Sequence, residues 1–122
     1  MNKQAILYLK KQYPELSDLA DEALANIAWY EQSLALRQRV DACQTATDRA
    51  LLDPEFERLS GVLESRIGRV EWSSERRRQE VLKVATSMVY ALRCGHTDKA
   101  AKRAARLLTI LEAESAHDEI RR

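Results

Sequence analysis

Four basic side chains near the carboxyl end of the chain have the spacing of a single helical stripe. The four residues are Lys99, Lys102, Arg103 and Arg106. The last three follow Lys99 by three, four and seven positions, so all four lie on one face of a helix. Like charges at these spacings repel one another by about 0.2–0.5 kcal/mol per pair. Phosphate groups or the carboxylates of a partner would relieve that repulsion, so the stripe is a candidate anion-binding site.

The stripe has a second interpretation, in which acids on another helix of the same chain neutralise it. An earlier acidic cluster is suited to this role: Asp18, Asp21 and Glu22. In the first interpretation, nucleic acid would be bound through its backbone, because the stripe holds no Asn or Gln to read adenine edges.

Basic residues are also concentrated on either side of the stripe. The segment 66–106 contains 11 basic and four acidic residues, a net charge of +7, whereas residues 1–61 carry −3 and the whole chain +1. This asymmetry indicates an anionic partner for the second half, or two halves that face one another. The further candidates for partner or phosphate binding are Arg66, Arg69, Arg76 and Arg77. The arginine run 76–78 has an alternative role in local pairs with Glu71, Glu75 or Glu80.

A seam of small residues is a separate candidate interface. Gly61, Ser65 and Gly68 share one face of a helix, and each helical glycine costs about 1 kcal/mol relative to alanine. Close approach of a partner helix would explain them. The alternative is that Gly61 ends a short helix, 54–60.

Two tryptophans complete the candidate interface. Trp29 lies off the apolar stripe that its neighbours suggest, and Trp72 stands at a helix end. An exposed tryptophan often marks a protein interface, whereas a buried one would cover the edge of the core.

No residue set suggests catalysis. The spacing of Cys94, His96 and His117 matches no zinc pattern, and the chain lacks a glycine-rich phosphate loop and a nucleophile elbow. We therefore expect no enzyme activity, no metal, no cofactor and no small-molecule substrate.

The elements that position these residues are helices. Glycine and proline total five residues, and Ala plus Leu number 33 against 11 for Val plus Ile, which excludes sandwiches, barrels and doubly wound sheets. The sequence predicts one all-α domain over 1–122: a compact bundle of four or five helices. It ends in an αα-hairpin of about 75–93 and 98–116, joined by a turn at Gly95.

The segment 18–52 has two interpretations, because it lacks both glycine and proline. It is either one long helix or two helices separated by a break between about 37 and 47. Asp53-Pro54 then signals a new helix start. Buried faces are expected on both sides of the break and in the last helix. One apolar stripe contains Leu16, Leu19, Ala23, Leu24, Ile27 and Leu34, and a second contains Leu36, Val40, Cys43, Ala50 and Leu51. The buried face of the last helix contains Ala101, Ala104, Ala105, Leu108 and Leu111.

Composition also bears on location. Cys43 and Cys94 lack the spacing of a disulfide framework, no apolar run exceeds five residues, and the first residues lack a signal-peptide core. A cytoplasmic protein without a membrane span is expected.

The function that these patterns favour is a non-enzymatic protein–protein interaction module: an adaptor, inhibitor, small chaperone or assembly subunit. It would act as a homodimer or bound to a constitutive partner. The alternative is a nucleic-acid-binding protein that uses the basic segment 66–106 for sequence-independent phosphate contacts.

Overall fold

The fold follows the helical periodicity of the sequence. A computed structural model describes the backbone of residues 2–121 and the side chains of residues 2–114. Over that range it contains helices and no strand, which confirms the all-α class. The six α-helices are α1 (Lys3–Gln12), α2 (Ser17–Ala42), α3 (Ala46–Ala50), α4 (Asp53–Arg69), α5 (Glu75–Arg93) and α6 (Thr97–Arg121), with a 3-10 turn at Pro14–Leu16.

Four long helices form an antiparallel ring. Around the ring, α2 contacts α4, α4 contacts α5, α5 contacts α6, and α6 contacts α2. Antiparallel pairing is visible in the contacts of α2 with α4, where Asn26 meets Arg66 and Arg39 meets Glu55. This up-down-up-down arrangement places the α2/α4 edge and the α5/α6 edge on opposite sides of the bundle.

The break in the long glycine-free segment lies at residues 43–45. Helix α2 ends at Ala42, and the Thr45 hydroxyl then caps the short helix α3 by accepting a hydrogen bond from the Asp48 N–H at 3.1 Å. The sequence therefore forms two helices, and α3 raises the number of helices above the four or five predicted. Helix α4 begins at Asp53, where the sequence signals a helix start, with Leu52 as its N-cap.

The hairpin of α5 and α6 is confirmed, and its turn has the expected chemistry. Ser74 caps α5, and Gly95 adopts a φ of +79° that side chains rarely tolerate. The Thr97 hydroxyl donates to Asp41 Oδ1 at 2.6 Å and so ties the start of α6 to the end of α2. The backbone of α6 continues beyond the predicted end, to Arg121.

The buried face of α2 differs from the predicted one. Leu19 and Leu34 are exposed, whereas Asn26 and Ser33 are 4% and 1% exposed. The buried face of this helix also includes Trp29, Leu36 and Val40, and Trp29 is fully buried. Of the second predicted stripe, Leu36 and Val40 are buried, whereas Leu51 is exposed. Apolar periodicity did not reveal the buried positions of Asn26 and Ser33, because both residues are polar.

The buried face of α6 is rotated from the expected one. Ala104 and Leu111 are buried as predicted, but Ala105 is exposed, and Ala101 and Leu108 are only partly covered. Ala100, Leu107 and Ile110 are buried instead. Burying leucine and isoleucine removes more apolar area from water than burying alanines does, which favours this rotation. The basic stripe therefore lies beside α5 and not directly opposite the core.

Helix α1 packs outside the ring, against α2. Ile6 is its one buried residue, and Lys10 Nζ forms an ion pair with Asp21 at 2.6 Å. Across the described residues, none of the helices combines the length and apolar character needed to cross a membrane.

Candidate functional site

A groove runs between α2 and α4 on one edge of the ring. Its volume is about 450 Å³. Small or short side chains form most of its lining, and three arginines surround them. The lining residues are Ala25, Ala28, Gly61, Val62 and Ser65, together with Arg58, Arg66 and Arg69. We call this the α2/α4 groove.

A buried arginine forms one wall of the α2/α4 groove. The Arg66 side chain is 5% exposed, and its Nε donates to Asn26 Oδ1 at 3.0 Å. Asn26 Oδ1 also accepts from Trp29 Nε1 at 3.3 Å. Glu22 Oε2 lies 3.5 Å from Arg66 Nη2, which has no hydrogen-bond partner among the described residues. The arginine is therefore held by one amide oxygen and one half-exposed carboxylate.

The charge of Arg66 is only partly compensated. Burial lowers the pKa of its guanidinium, and Glu22 opposes that shift; the positive charge of Arg69 lowers the pKa further. Neither Arg58 nor Arg69 has a carboxylate within ion-pair distance among the described side chains. The groove is consequently electropositive.

The two glycines of α4 lie in the interior and last turn of an uninterrupted helix. The alternative in which Gly61 ends a helix at residue 60 is therefore wrong. A Cβ added at Gly61 or Gly68 would meet nothing within 4 Å, so packing inside the chain does not require either glycine. Gly61 and Ser65 line the α2/α4 groove, whereas Gly68 is not among its lining residues.

The tryptophans do not form an exposed interface. Trp29 has no exposed surface, so its assignment as an interface residue is wrong: its ring fills the core and its N–H is used by Asn26. Trp72 is half-buried against the core, and its indole N–H donates to the Ile67 carbonyl at 2.8 Å. Both side chains therefore have structural partners within the bundle.

The four residues of the predicted stripe stay together on α6. Lys99, Lys102 and Arg106 are exposed, and Arg103 is half-buried with its Nη1 donating to the Ser87 carbonyl at 3.1 Å. Lys83 on α5 lies across a second groove of about 380 Å³, which also involves Arg103 and Arg106. We call the five cations the basic face: Lys83, Lys99, Lys102, Arg103 and Arg106.

Two of the three acids proposed to neutralise the stripe are engaged elsewhere. Asp21 pairs with Lys10, and Glu22 lies beside Arg66. Within the described part of the chain, no residue of the basic face has a carboxylate at ion-pair distance. Sequence reasoning missed Lys83, because only the packing of α5 on α6 brings it near the stripe.

The arginine run at the start of α5 is locally paired. Arg76 Nε and Arg77 Nη1 each lie 3.6 Å from a Glu80 carboxylate oxygen, and Arg77 Nε lies 3.3 Å from Glu114 Oε1. Arg78 Nη1 lies 2.9 Å from Glu75 Oε1. These ion pairs match the local alternative for the run, with Glu75 and Glu80 as partners.

The basic residues of the segment 66–106 do not form one continuous surface. Arg66 and Arg69 belong to the α2/α4 groove, on the edge of the ring opposite the basic face. The assignment of buried Arg66 to a shared phosphate-binding surface is therefore wrong, because helix packing separates residues that are close in sequence.

Within the described residues, no group of three or more potential metal ligands lies together; His117 falls outside the described side chains. Comparison with known proteins found no matching family model, no similar curated protein and no similar solved structure.

Proposed function

We propose that the protein is a non-enzymatic helical module that binds a helix of a partner protein in the α2/α4 groove. The observation that carries this proposal is an electropositive groove lined by small residues, Gly61 among them. Small residues let helix backbones approach closely, and an amphipathic helix placed in a groove is a recurrent form of peptide recognition.

Gly61 supports the proposal because a glycine inside a helix lowers the stability of the folded chain. A glycine within a helix destabilises the chain by about 0.5–1 kcal/mol relative to alanine. Gly61 has an ordinary helical conformation and open space around it, so the monomer gains nothing from the missing side chain. A partner backbone lying against α4 would benefit from that space.

The arginines indicate the chemistry of the partner. Arg58 and Arg69 lie along the groove, and Arg66 forms its buried wall. A helix with acidic residues flanking a seam of alanine or leucine would pair with the exposed arginines. A two-fold contact with a second copy through this groove would bring the arginines together, which disfavours self-association at this site.

Gly61→Leu is expected to block binding without harming the fold. The probe is a fluorescein-labelled synthetic helix of about five turns, with an Ala/Leu seam flanked by Glu; a second peptide carries Lys in place of every Glu. The wild-type protein should bind the acidic peptide in the micromolar range by fluorescence anisotropy. Leucine at residue 61 should weaken binding at least tenfold, about 1.4 kcal/mol, because its side chain occupies the groove.

Gly68→Leu is the matched control, since residue 68 has the same open surroundings but does not line the groove. It should leave peptide affinity unchanged. Circular dichroism should report equal helicity for both variants, and both should melt at or above the wild-type temperature because leucine favours helix more than glycine does. Equal affinity for the acidic and basic peptides, or unchanged binding by Gly61→Leu, would contradict the proposal.

A further inference from the structure

We propose that the basic face binds the phosphate backbone of a nucleic acid, as a second site that is independent of the α2/α4 groove. The four α6 residues occupy about 10 Å of helix length, at 1.5 Å per residue. Lys83 adds a cation from α5 across the adjoining groove. The result is a compact positive surface built from two helices.

The electrostatics of this surface favour an anionic ligand. Its nearest acid on α5, Glu80, lines the same groove but lies beside both Arg76 and Arg77. Among the described residues, the five cations have no carboxylate at ion-pair distance, so each neighbouring pair on α6 repels. Binding of phosphate groups would remove this repulsion and release condensed counterions from the nucleic acid.

One arginine of the face is already held in place. Arg103 donates to the Ser87 carbonyl and is half-buried between α5 and α6. A guanidinium fixed by one bond retains other N–H groups for a phosphate and loses less conformational entropy on binding. Lys102 and Arg106 on either side of it are exposed and free to adjust.

The composition of the face selects nucleic acid over a membrane or a protein surface. Among the described side chains of α6, the large apolar residues Leu107, Ile110 and Leu111 are buried in the core and Leu108 is half-buried, so this part of the helix offers no large apolar face to a bilayer. The described residues that line the groove beside this face include no aromatic side chain of the kind that concentrates binding energy in protein interfaces. Five Lys and Arg residues suit backbone contacts that tolerate any base sequence.

Fluorescence anisotropy with a mixed-sequence duplex of about 20 base pairs tests the proposal. Phosphate contacts by the four α6 residues predict a slope of about −3.6 in log affinity against log salt, at about −0.9 per contact. The double variant Lys102→Ala/Arg106→Ala should lower that slope by about 1.8 in magnitude and weaken binding at least tenfold at ~50 mM salt. Its helicity should be unchanged, because both residues are exposed and alanine favours helix.

The matched control is Arg58→Ala/Arg69→Ala, which removes the same charge from the α2/α4 groove. This control should leave the duplex affinity and the salt slope within about twofold of wild type. It should weaken binding of the acidic peptide. Duplex binding that is absent in wild type at ~50 mM salt, or lost equally in both double variants, would overturn the proposal. Sedimentation with phosphatidylserine vesicles in place of duplex binding would also overturn it. The duplex measurements and the peptide measurements test different sites. Failure of the nucleic-acid proposal would therefore leave the proposal for the α2/α4 groove unaffected.

Discussion

Asn26→Leu is expected to lower the free energy of unfolding by about 3 kcal/mol or more. The Asn26 amide oxygen accepts from Arg66 Nε and from Trp29 Nε1, and all three side chains are buried. Leucine has a similar size but no acceptor, so a charged donor and a neutral donor would be left unsatisfied in the core. Each buried orphan costs about 1–3 kcal/mol, and a charged one more.

The double variant Asn26→Leu/Arg66→Met distinguishes this mechanism from simple misfit of leucine. Removing the arginine together with the amide leaves one indole N–H without its acceptor, and urea unfolding should recover most of the lost stability. The Arg66→Met single variant should be milder than Asn26→Leu, because Asn26 keeps Trp29 as a partner and Glu22 is exposed enough to be hydrated. Equal stability of Asn26→Leu and the double variant would refute the explanation.

Met88→Asp is expected to abolish folding. Met88 is 1% exposed and lies within the α5 core stripe, where its neighbours include Ala85 and Leu92. A carboxylate there would lose its hydration without gaining a partner, a penalty comparable with the whole stability of a small domain. Circular dichroism at 25 °C should show the loss of most helical signal.

Met88→Leu is the control for this site, because the two side chains are similar in volume and both are apolar. It should cost less than about 1.5 kcal/mol and leave the helical signal intact. A cooperative, wild-type-like melting curve for Met88→Asp would show that α5 is not central to the core.

Local signals made the hairpin of α5 and α6 predictable. Gly95 acts through the backbone within a few residues and adopts the expected turn, and Ser74 caps α5 in the same local way. The break after Ala42 was one of two alternatives because Thr45 is a weak signal by itself. The Thr45 cap alone does not determine whether the segment forms one helix or two; the packing of the helices also contributes.

Hydropathy predicted only part of the buried face of α2, namely Leu36 and Val40. Asn26 and Ser33 are buried because their partners are supplied locally or from α4: Ser33 donates to the Tyr30 carbonyl, and Asn26 meets Arg66. The burial of Arg66 requires a residue 40 positions away. A hydropathy pattern does not show which distant residue will contact Arg66. It also does not show the free-energy cost of burying an arginine without a hydrogen-bond partner.

The two candidate sites also differ in how far the sequence predicted them. The α6 stripe was visible from spacing because it depends on one helix. The α2/α4 groove was only half visible: Gly61 and Ser65 were recognised as a seam, but Ala25 and Ala28 join them through the packing of two helices.

The order of helices around the ring has a consequence for how quickly the protein folds. Consecutive ring helices are joined by short connections, such as residues 94–96 between α5 and α6, so most native contacts form between nearby parts of the chain. Chains of such low contact order fold in roughly microseconds to milliseconds. The seam of α2 with α6 is the exception, since Asp41 and Thr97 are 56 positions apart. Closing this contact costs the largest loop entropy of the side-chain contacts described above, so we expect it to form late in folding.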